Sequence, residues 1–292
     1  MTFEMTNCTS CGRELTALSG RSAGRDLCPD CQRTDLPSAA LRLQAQPQYQ
    51  PQYEPQHRPQ QQATVARRTV SLTTLLVGIN VAVFVIMALT GVSPLTPSTP
   101  QLLRWGANWG PLSLGSQPWR MLTSNYVHGG LIHIFFNMWC LLNLGALAER
   151  VFDRWTYVLI YTASGLAGSL ASLWWHPMVV GVGASGAIFG MAGALIAALY
   201  LGKLPIPKEA VKSTMKSLLS FAAYNLLFGL SAGIDNAAHL GGLLGGLALG
   251  AFLSRHLMEP PEQRQQWRTY AVIGTLFFLS AGIYYLRHKY VR

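Results

Sequence analysis

The stretch that decides the fold is Gly181-Val-Gly-Ala-Ser-Gly-Ala-Ile-Phe-Gly190, which opens an apolar run that reaches Leu201. It predicts the first turn of a membrane-spanning helix, with Ser185 between small residues. Small residues allow another helix or a substrate backbone to come close. The unpaired N–H groups of a first helical turn lie at the positive end of the helix dipole. They can therefore hold a developing oxyanion.

A second apolar run, 237–246, contains a histidine. An ionisable residue inside hydrophobic sequence is costly, so His239 is a candidate for a functional site. Gly242 and Gly246 follow it at i+3 and i+7, which places all three residues on nearly one helix face.

The serine helix offers a matching smooth face, formed by Gly186 and Gly190. Two such faces can pack closely, because neither carries a side chain that would hold the backbones apart. If they do, Ser185 and His239 meet. We predict this pairing.

Composition indicates a polytopic helical membrane protein. Of the 292 residues, 50% are hydrophobic and 12% are charged, and the mean hydropathy is +0.25. Several apolar runs approach the roughly 20 residues that span a bilayer, whereas a transmembrane barrel would show short alternating segments. The net charge is +10, but most basic residues lie between or beside the apolar runs, which is typical of topology signals. We therefore expect the lipid bilayer, and no nucleic acid, as a partner.

Hydropathy predicts seven spans. The second begins around His133 and Asn137 and ends at about Leu147. The other six cover about Ser71–Leu89, Tyr157–Trp174, Ala184–Leu201, Leu218–Gly233, Ala237–Leu253 and Tyr270–Leu286.

Basic residues predict a cytoplasmic N-terminus, because cytoplasmic segments carry the excess of lysine and arginine. With that orientation eleven basic residues lie inside and five outside; the basic tail after the seventh span runs against the rule. The inner set is Arg67, Arg68, Arg150, Arg154, Lys203, Lys208, Lys212, Lys216, Arg255, Arg264 and Arg268, and the outer set is Arg104, Arg120, Arg287, Lys289 and Arg292. Ser185, His239 and His133 then all begin helices near the outer face.

Four of the five cysteines form two C-x-x-C pairs, Cys8/Cys11 and Cys28/Cys31. This spacing matches a zinc ribbon with four thiolate ligands, and the segment is too short to bury a core without such a staple. A pair of disulfides is the alternative; it needs an oxidising compartment, and Met1–Leu15 has no apolar segment of a secretory signal. A redox C-x-x-C fits less well, because no βαβ pattern is nearby.

The predicted domains follow from these shifts in composition. Residues 1–40 form a cytoplasmic zinc-ribbon-like domain whose partner the sequence does not identify. Residues 41–66 are a Pro/Gln-rich linker that cannot form a core. Residues 67–256 are a core of six helices, and residues 257–292 are a cytoplasmic loop and an additional C-terminal span.

Polar residues also mark the start of the second span. His133 and Asn137 are four residues apart and share one face of that helix. With His128 just before them, they indicate a polar cavity in otherwise apolar sequence. The long connection 90–130 is of the kind that is often functional. Within it, Trp119-Arg120 either locks the loop internally or anchors it at the interface, while Glu149-Arg150 is expected to cap local structure at the helix end.

Three motifs closely resemble the rhomboid family of intramembrane serine proteases over about residues 70–256. They are His128…His133-x-x-x-Asn137, Gly183-Ala-Ser185-Gly186 and Ala238-His239-x-x-Gly242-x-x-x-Gly246. The positions of Trp119-Arg120 and Glu149-Arg150 also resemble the family, and the additional span resembles its six-plus-one form. The resemblance does not cover the cysteine segment or the linker.

The resemblance implies a serine endopeptidase that cleaves transmembrane segments of membrane proteins near the outer face, without a catalytic cofactor. Ser185 would be the nucleophile and His239 its general base. The Ser185 N–H would form the oxyanion hole with the side chains of His133 and Asn137. Phe189 would be the ring against which His239 stacks, where the family often has tyrosine. His128 would support the cavity, and a bacterial inner membrane is the expected location.

Two other classes remain open. A catalytically dead relative that escorts membrane clients would usually lack the serine or the histidine, and both are present. A transporter or channel with intramembrane His and Asn would place polar groups at mid-membrane, whereas here they gather at one end of the helices.

Overall fold

The computed structural model describes residues 6–15, 28, 30–31, 71–230 and 233–290, and the chain divides into two compact units, 1–66 and 67–292. In the first unit a short antiparallel pair, β1 (Thr6–Asn7) and β2 (Glu14–Leu15), is described. The predicted linker at 41–66 lies outside the described residues.

The described part of the second unit is built from ten α-helices, of which seven are long. In chain order they are α1 (Leu72–Leu89), α2 (Thr99–Arg104), α3 (Gly110–Ser113), α4 (Arg120–Thr123), α5 (Leu131–Val151), α6 (Arg154–Trp175), α7 (Ser185–Leu201), α8 (Lys208–Phe228), α9 (Asn236–Leu253) and α10 (Pro261–Tyr290). A short 3-10 helix, Ser254–His256, follows α9.

Five of these helices are long and apolar enough to cross a membrane: α1, α5, α6, α9 with its 3-10 extension, and α10. Helix α7 is apolar but has 17 residues. The predicted multi-pass, all-α architecture is confirmed.

Two spans differ from their predicted positions. The sequence predicts Tyr270–Leu286 after a loop, but α10 begins nine residues earlier, at Pro261, so residues 261–269 are helical and not loop.

The other span is α8. The sequence predicts Leu218–Gly233, but α8 begins ten residues earlier, at Lys208, and ends at Phe228. Its first half carries lysines, so hydropathy marks only the apolar part of a helix that continues into polar sequence. Pro207 precedes the first turn and Gly229 follows the last.

Helix α7 lies at the centre of the bundle. Apart from partly buried Ile196, every residue from Gly186 to Leu199 is buried. It packs against α5, α6, α8 and α9, while α1 lies outside against α5 and α10 lies outside against α6. A helix rich in glycine and alanine therefore takes the most crowded place.

The connection between α1 and α5 is locked internally by Arg120, as one of the two predicted alternatives has it. The guanidinium is buried and donates to the carbonyls of Leu103 and Ala107 at 2.6 and 3.2 Å and to Gln117 Oε1 at 2.6 Å. Trp119 remains half exposed beneath the same guanidinium. One buried cation therefore joins two turns of the loop.

Glu149, near the end of α5, caps the start of α1. Its carboxylate accepts hydrogen bonds from Ser71 Oγ, at 3.0 and 2.9 Å, and from Thr73 N at 2.8 Å. A carboxylate is favourable there because the first turn of a helix has unpaired N–H groups. The predicted capping role of Glu149 is confirmed, and the cap holds α1 to α5.

Candidate active site

Helix α7 begins at Ser185, after a turn that requires glycine. Gly183 has φ of 113°, a conformation that side chains disfavour. A Cβ at Gly183 would also lie 2.7 Å from the Cε1 and Nε2 atoms of His133. Glycine here lets the imidazole from α5 lie directly against the turn before Ser185.

Helices α7 and α9 touch backbone to backbone along a line that we call the glycine seam: Gly186, Gly190 and Ala194 of α7 and Gly242, Gly246 and Gly250 of α9. A Cβ added at Gly242 would lie 2.0 Å from the carbonyl oxygen of Gly186, and one at Gly246 would lie 1.9 Å from that of Gly190. Side chains at these positions would force the helices apart.

The seam brings the neighbours of Ser185 and His239 together. Ala238, which precedes His239, has its carbonyl oxygen 3.4 Å from the Cβ position of Gly186, which follows Ser185. The two predicted residues therefore lie at the same end of the same helix pair. The structure records no hydrogen bond between their side chains.

The imidazole of His239 stacks on Phe189, with ring centroids 4.4 Å apart and the planes inclined by 12°. Both residues are buried, with relative exposures of 9% and 3%. The Nδ1 atom of His239 is buried and has no hydrogen-bond partner among the described residues. Packing against Phe189, not an acidic residue, thus orients the ring. The Nδ1 atom stays available for a hydrogen bond to another group.

Two further histidines lie beside this helix pair. His128 is fully buried, and its ring packs edge-on against that of His133 at 5.3 Å. Its Nε2 atom has no partner within the described residues. His133 Nδ1 accepts a hydrogen bond from Gly129 N at 3.3 Å.

Asn137 lies one turn after His133 on α5 and is buried. Its Nδ2 donates to the carbonyl of His133 at 2.9 Å, while its Oδ1 is buried and has no partner in the described part of the chain. An amide nitrogen has a second N–H, so Asn137 can still donate to another group. Unpaired polar atoms on His128, Asn137 and His239 are typical of a polar cavity.

Asp235 is a site-supporting residue that our sequence reasoning missed. It is the N-cap of α9: Oδ1 accepts from Ala238 N at 3.0 Å, and Oδ2 accepts from Ser172 Oγ of α6 at 2.5 Å. Gly181 lies beside the same carboxylate. Asp235 therefore joins α9 to α6 and to the loop before Ser185. An aspartate directly before an apolar run is a signal for a helix start, which could have revealed it.

The four clustered cysteines form a separate candidate site in the first unit. Their sulfur atoms all lie within 4.8 Å of one another, and none of the four is joined in a disulfide in the described structure. Cys28 N donates to Cys8 Sγ at 3.2 Å, and this hydrogen bond is the largest of the effects that lower the pKa of the Cys8 thiol to about 6. Tetrahedral zinc with Zn–S bonds of about 2.3 Å separates its sulfurs by about 3.8 Å. The cluster can hold a metal ion.

Comparison with known proteins places the second unit. Residues 115–256 match the model of the Rhomboid domain. Rhomboid protease AarA of Providencia stuartii is 32% identical over 219 residues, which are 67% of this chain and 75% of that protein. The chain belongs to the rhomboid family.

Other rhomboid relatives include bacterial and plant proteins. Rhomboid protease GluP of Bacillus subtilis (strain 168) is 35% identical over 62% of this chain and 34% of its own length. RHOMBOID-like protein 6, mitochondrial, of Arabidopsis thaliana is 36% identical over 62% of this chain. The chain spans about half the length of this plant relative and of RHOMBOID-like protein 7 from the same plant, 57% and 54% respectively. The predicted family and the rhomboid-like fold are confirmed.

Proposed function

We propose that this protein is an intramembrane serine endopeptidase of the rhomboid type, with Ser185 as nucleophile and His239 as general base. The observation that carries the proposal is the glycine seam. It places both residues at one end of two helices in backbone contact, with the His239 ring held against Phe189. Membership of the rhomboid family, and the similarity to the rhomboid proteases AarA and GluP, support the same activity.

The chemistry follows that of acyl transfer by an activated serine. The Ser185 oxygen attacks the scissile carbonyl, and its proton passes to His239. The imidazolium then gives this proton to the leaving amine. Water, activated by the same imidazole, releases the acyl group and restores the serine.

The negative charge on the attacked carbonyl oxygen needs donors. We assign the Ser185 N–H and the side chains of His133 and Asn137 to this oxyanion hole. The approach of His133 to the turn at Gly183 supports the assignment. Gly183, Gly186, Gly242 and Gly246 permit the close contacts, and His128 supports the cavity from behind His133.

Transmembrane segments of other proteins are the proposed substrates. A helix must unwind before its backbone can be attacked, and in lipid each freed polar group is costly. Substrates with small or helix-breaking residues near the cleaved bond should therefore react faster. With the N-terminus in the cytoplasm of a bacterial inner membrane, cleavage would occur near the outer face.

An active-site probe tests the activity. A fluorophosphonate should label the wild-type protein and the Ser217→Ala control, whose serine is exposed on α8, but not Ser185→Ala. His239→Ala should lose labelling and lower cleavage of a transmembrane substrate by up to about 10⁶-fold, the loss expected when a serine protease loses its general base. His176→Ala should retain both. Labelling of Ser185→Ala at the wild-type level would refute the proposal.

We also propose that the four cysteines bind a structural zinc ion. The full-length protein should contain about one equivalent of zinc, and Cys8→Ser with Cys28→Ser should remove it. Cys140→Ser, which changes the remaining cysteine, serves as control and should retain the metal. Wild-type protein without zinc by elemental analysis would contradict this proposal.

A further inference from the structure

A cavity of about 370 Å³ lies where α6 and α10 both begin. Its lining includes Asp153, Arg154, Glu262, Arg264 and Arg268. Because α6 runs from this cavity toward the loop before Ser185, the cavity lies at the opposite end of the bundle from the candidate active site. A helix of 22 residues separates the two by about 33 Å.

The charges around the cavity favour an anion. Three arginines and two carboxylates line it. Asp153 is already engaged, because Arg268 and Arg264 approach it at 2.6 and 3.6 Å and it caps α6 through Trp155 N and Thr156 N. Glu262 is exposed. The three arginines and two carboxylates of the lining therefore carry a net charge of +1.

Two of the arginines have unused donors. Arg154 is exposed, lies over the Trp155 ring at 5.6 Å, and makes no ion pair or hydrogen bond with a described residue. The Nε of Arg264 is buried and has no acceptor in the described part of the chain. A buried N–H without an acceptor is costly, and an oxygen-rich anion would satisfy it.

The aromatic residues around the cavity indicate that its ligand is a lipid. The Trp155 indole is 63% exposed, and Trp267 and Tyr270 pack edge-on in the next turns of α10. Aromatic side chains of this kind mark the headgroup level of a bilayer. Basic pockets between membrane helices at this level bind anionic headgroups.

We propose that this cavity binds the phosphate of an anionic phospholipid headgroup, with Arg154 and Arg264 as its ligands. The bound phosphate would bridge the start of α6 to the start of α10. The site is independent of the proposed protease activity, because its readouts are binding and melting temperature.

The test uses the full-length protein in neutral detergent. Dioleoyl phosphatidylglycerol should bind in native mass spectra and raise the melting temperature by about 5 °C at a hundredfold excess over its dissociation constant. Dioleoyl phosphatidylcholine, which carries no net charge, should do neither. Equal binding of the two lipids would overturn the proposal.

Arg154→Gln should weaken the binding of phosphatidylglycerol about fivefold, the loss expected for one basic residue at an anionic membrane surface. This variant should fold, because the Arg154 guanidinium holds no other residue by an ion pair or hydrogen bond in the described structure. Arg255→Gln is the matched control. Arg255 is exposed in the short 3-10 helix that follows α9, and it does not line the cavity.

Equal weakening by Arg154→Gln and Arg255→Gln would overturn the site, since it would indicate a general effect of surface charge. Inorganic phosphate distinguishes the source of the anion. If millimolar phosphate stabilises the protein as strongly, with the same dependence on Arg154, a soluble phosphate is the ligand and the lipid assignment is wrong.

Discussion

The contact between α7 and α9 and the contact between α6 and α10 join helices of one bundle by opposite means. Along the glycine seam the two backbones meet, with the Cβ position of Gly246 only 1.9 Å from the carbonyl oxygen of Gly190. No ion pair crosses the seam between described residues. Close approach of small residues is the means by which membrane helices gain packing when no hydrophobic force draws them together.

Helix α10 is held instead by large side chains and by polar contacts at its ends. Leu279 and Leu286 belong to a buried cluster with Leu170 and Leu173 of α6. At the start of α10, Arg268 pairs with Asp153; at its far end, Arg287 donates to the carbonyl of Leu114 at 2.6 Å. Where an added Cβ meets anything here, it meets a side chain, as at Gly282.

The difference teaches where precision is needed. A backbone contact has no rotamers that can adjust, so the glycine seam sets the register of Ser185 against His239. A contact made by side chains can repack, so the position of α10 tolerates more change. The candidate active site lies at the rigid contact between α7 and α9, and the additional helix α10 is held by the adjustable contact with α6.

Gly246→Val should give the largest loss of stability. The valine must displace the Gly190 carbonyl, and we expect a cost of about 3 kcal/mol in the free energy of unfolding, the upper part of the usual range for overpacking. Gly274→Val on α10 is the control, because its Cβ position has no atom within 4 Å. Unfolding in mixed micelles measures both. Equal losses would show that the seam is no tighter than the surface of α10.

Leu286→Ala should cost about 2 kcal/mol, the lower end for a buried leucine, because the neighbouring side chains can partly collapse into the space. Leu286 has 0% exposure, whereas Leu276 on the same helix is 58% exposed. Leu276→Ala should therefore change little in the same unfolding assay. If Leu286→Ala costs more than Gly246→Val, the proposed contrast between the two contacts is wrong.

Arg268→Gln should cost about 1 kcal/mol at neutral pH, as expected for one partly buried ion pair. Burial by itself raises the pKa of Asp153, but hydrogen bonds from Thr156 and the charge of Arg268 outweigh it and lower the pKa below its ordinary value. The carboxylate therefore stabilises the fold above about pH 4 and loses this effect as the pH falls through the lower, folded pKa.

The variant should show a smaller decline in melting temperature between pH 5 and 3 than the wild type. Arg255→Gln, an exposed arginine outside the cavity, should retain the wild-type pH dependence. An unaltered acid profile in Arg268→Gln would show that the charge pair does not hold α10.

Much of the fold could be predicted because hydropathy is a local property. Seven long helices lie where apolar runs indicate them, although α8 and α10 begin earlier than their apolar parts. Spacing along a helix also indicated the faces of His239, Gly242 and Gly246. The position of Asp235 before an apolar run could have indicated a helix start, but its contact with Ser172, 63 positions earlier in the chain, could not be predicted.

The amino-acid sequence by itself determined that the chain crosses a membrane, that its serine and histidine begin separate helices, and that four cysteines form two pairs. These features depend on residue type and spacing alone. Only the tertiary structure decided that Asp235 joins α9 to α6, that Arg120 locks the loop and that Asp153 holds α10. Each of these contacts joins residues that sequence distance separates, and packing of whole helices, not local preference, selects which side chains meet.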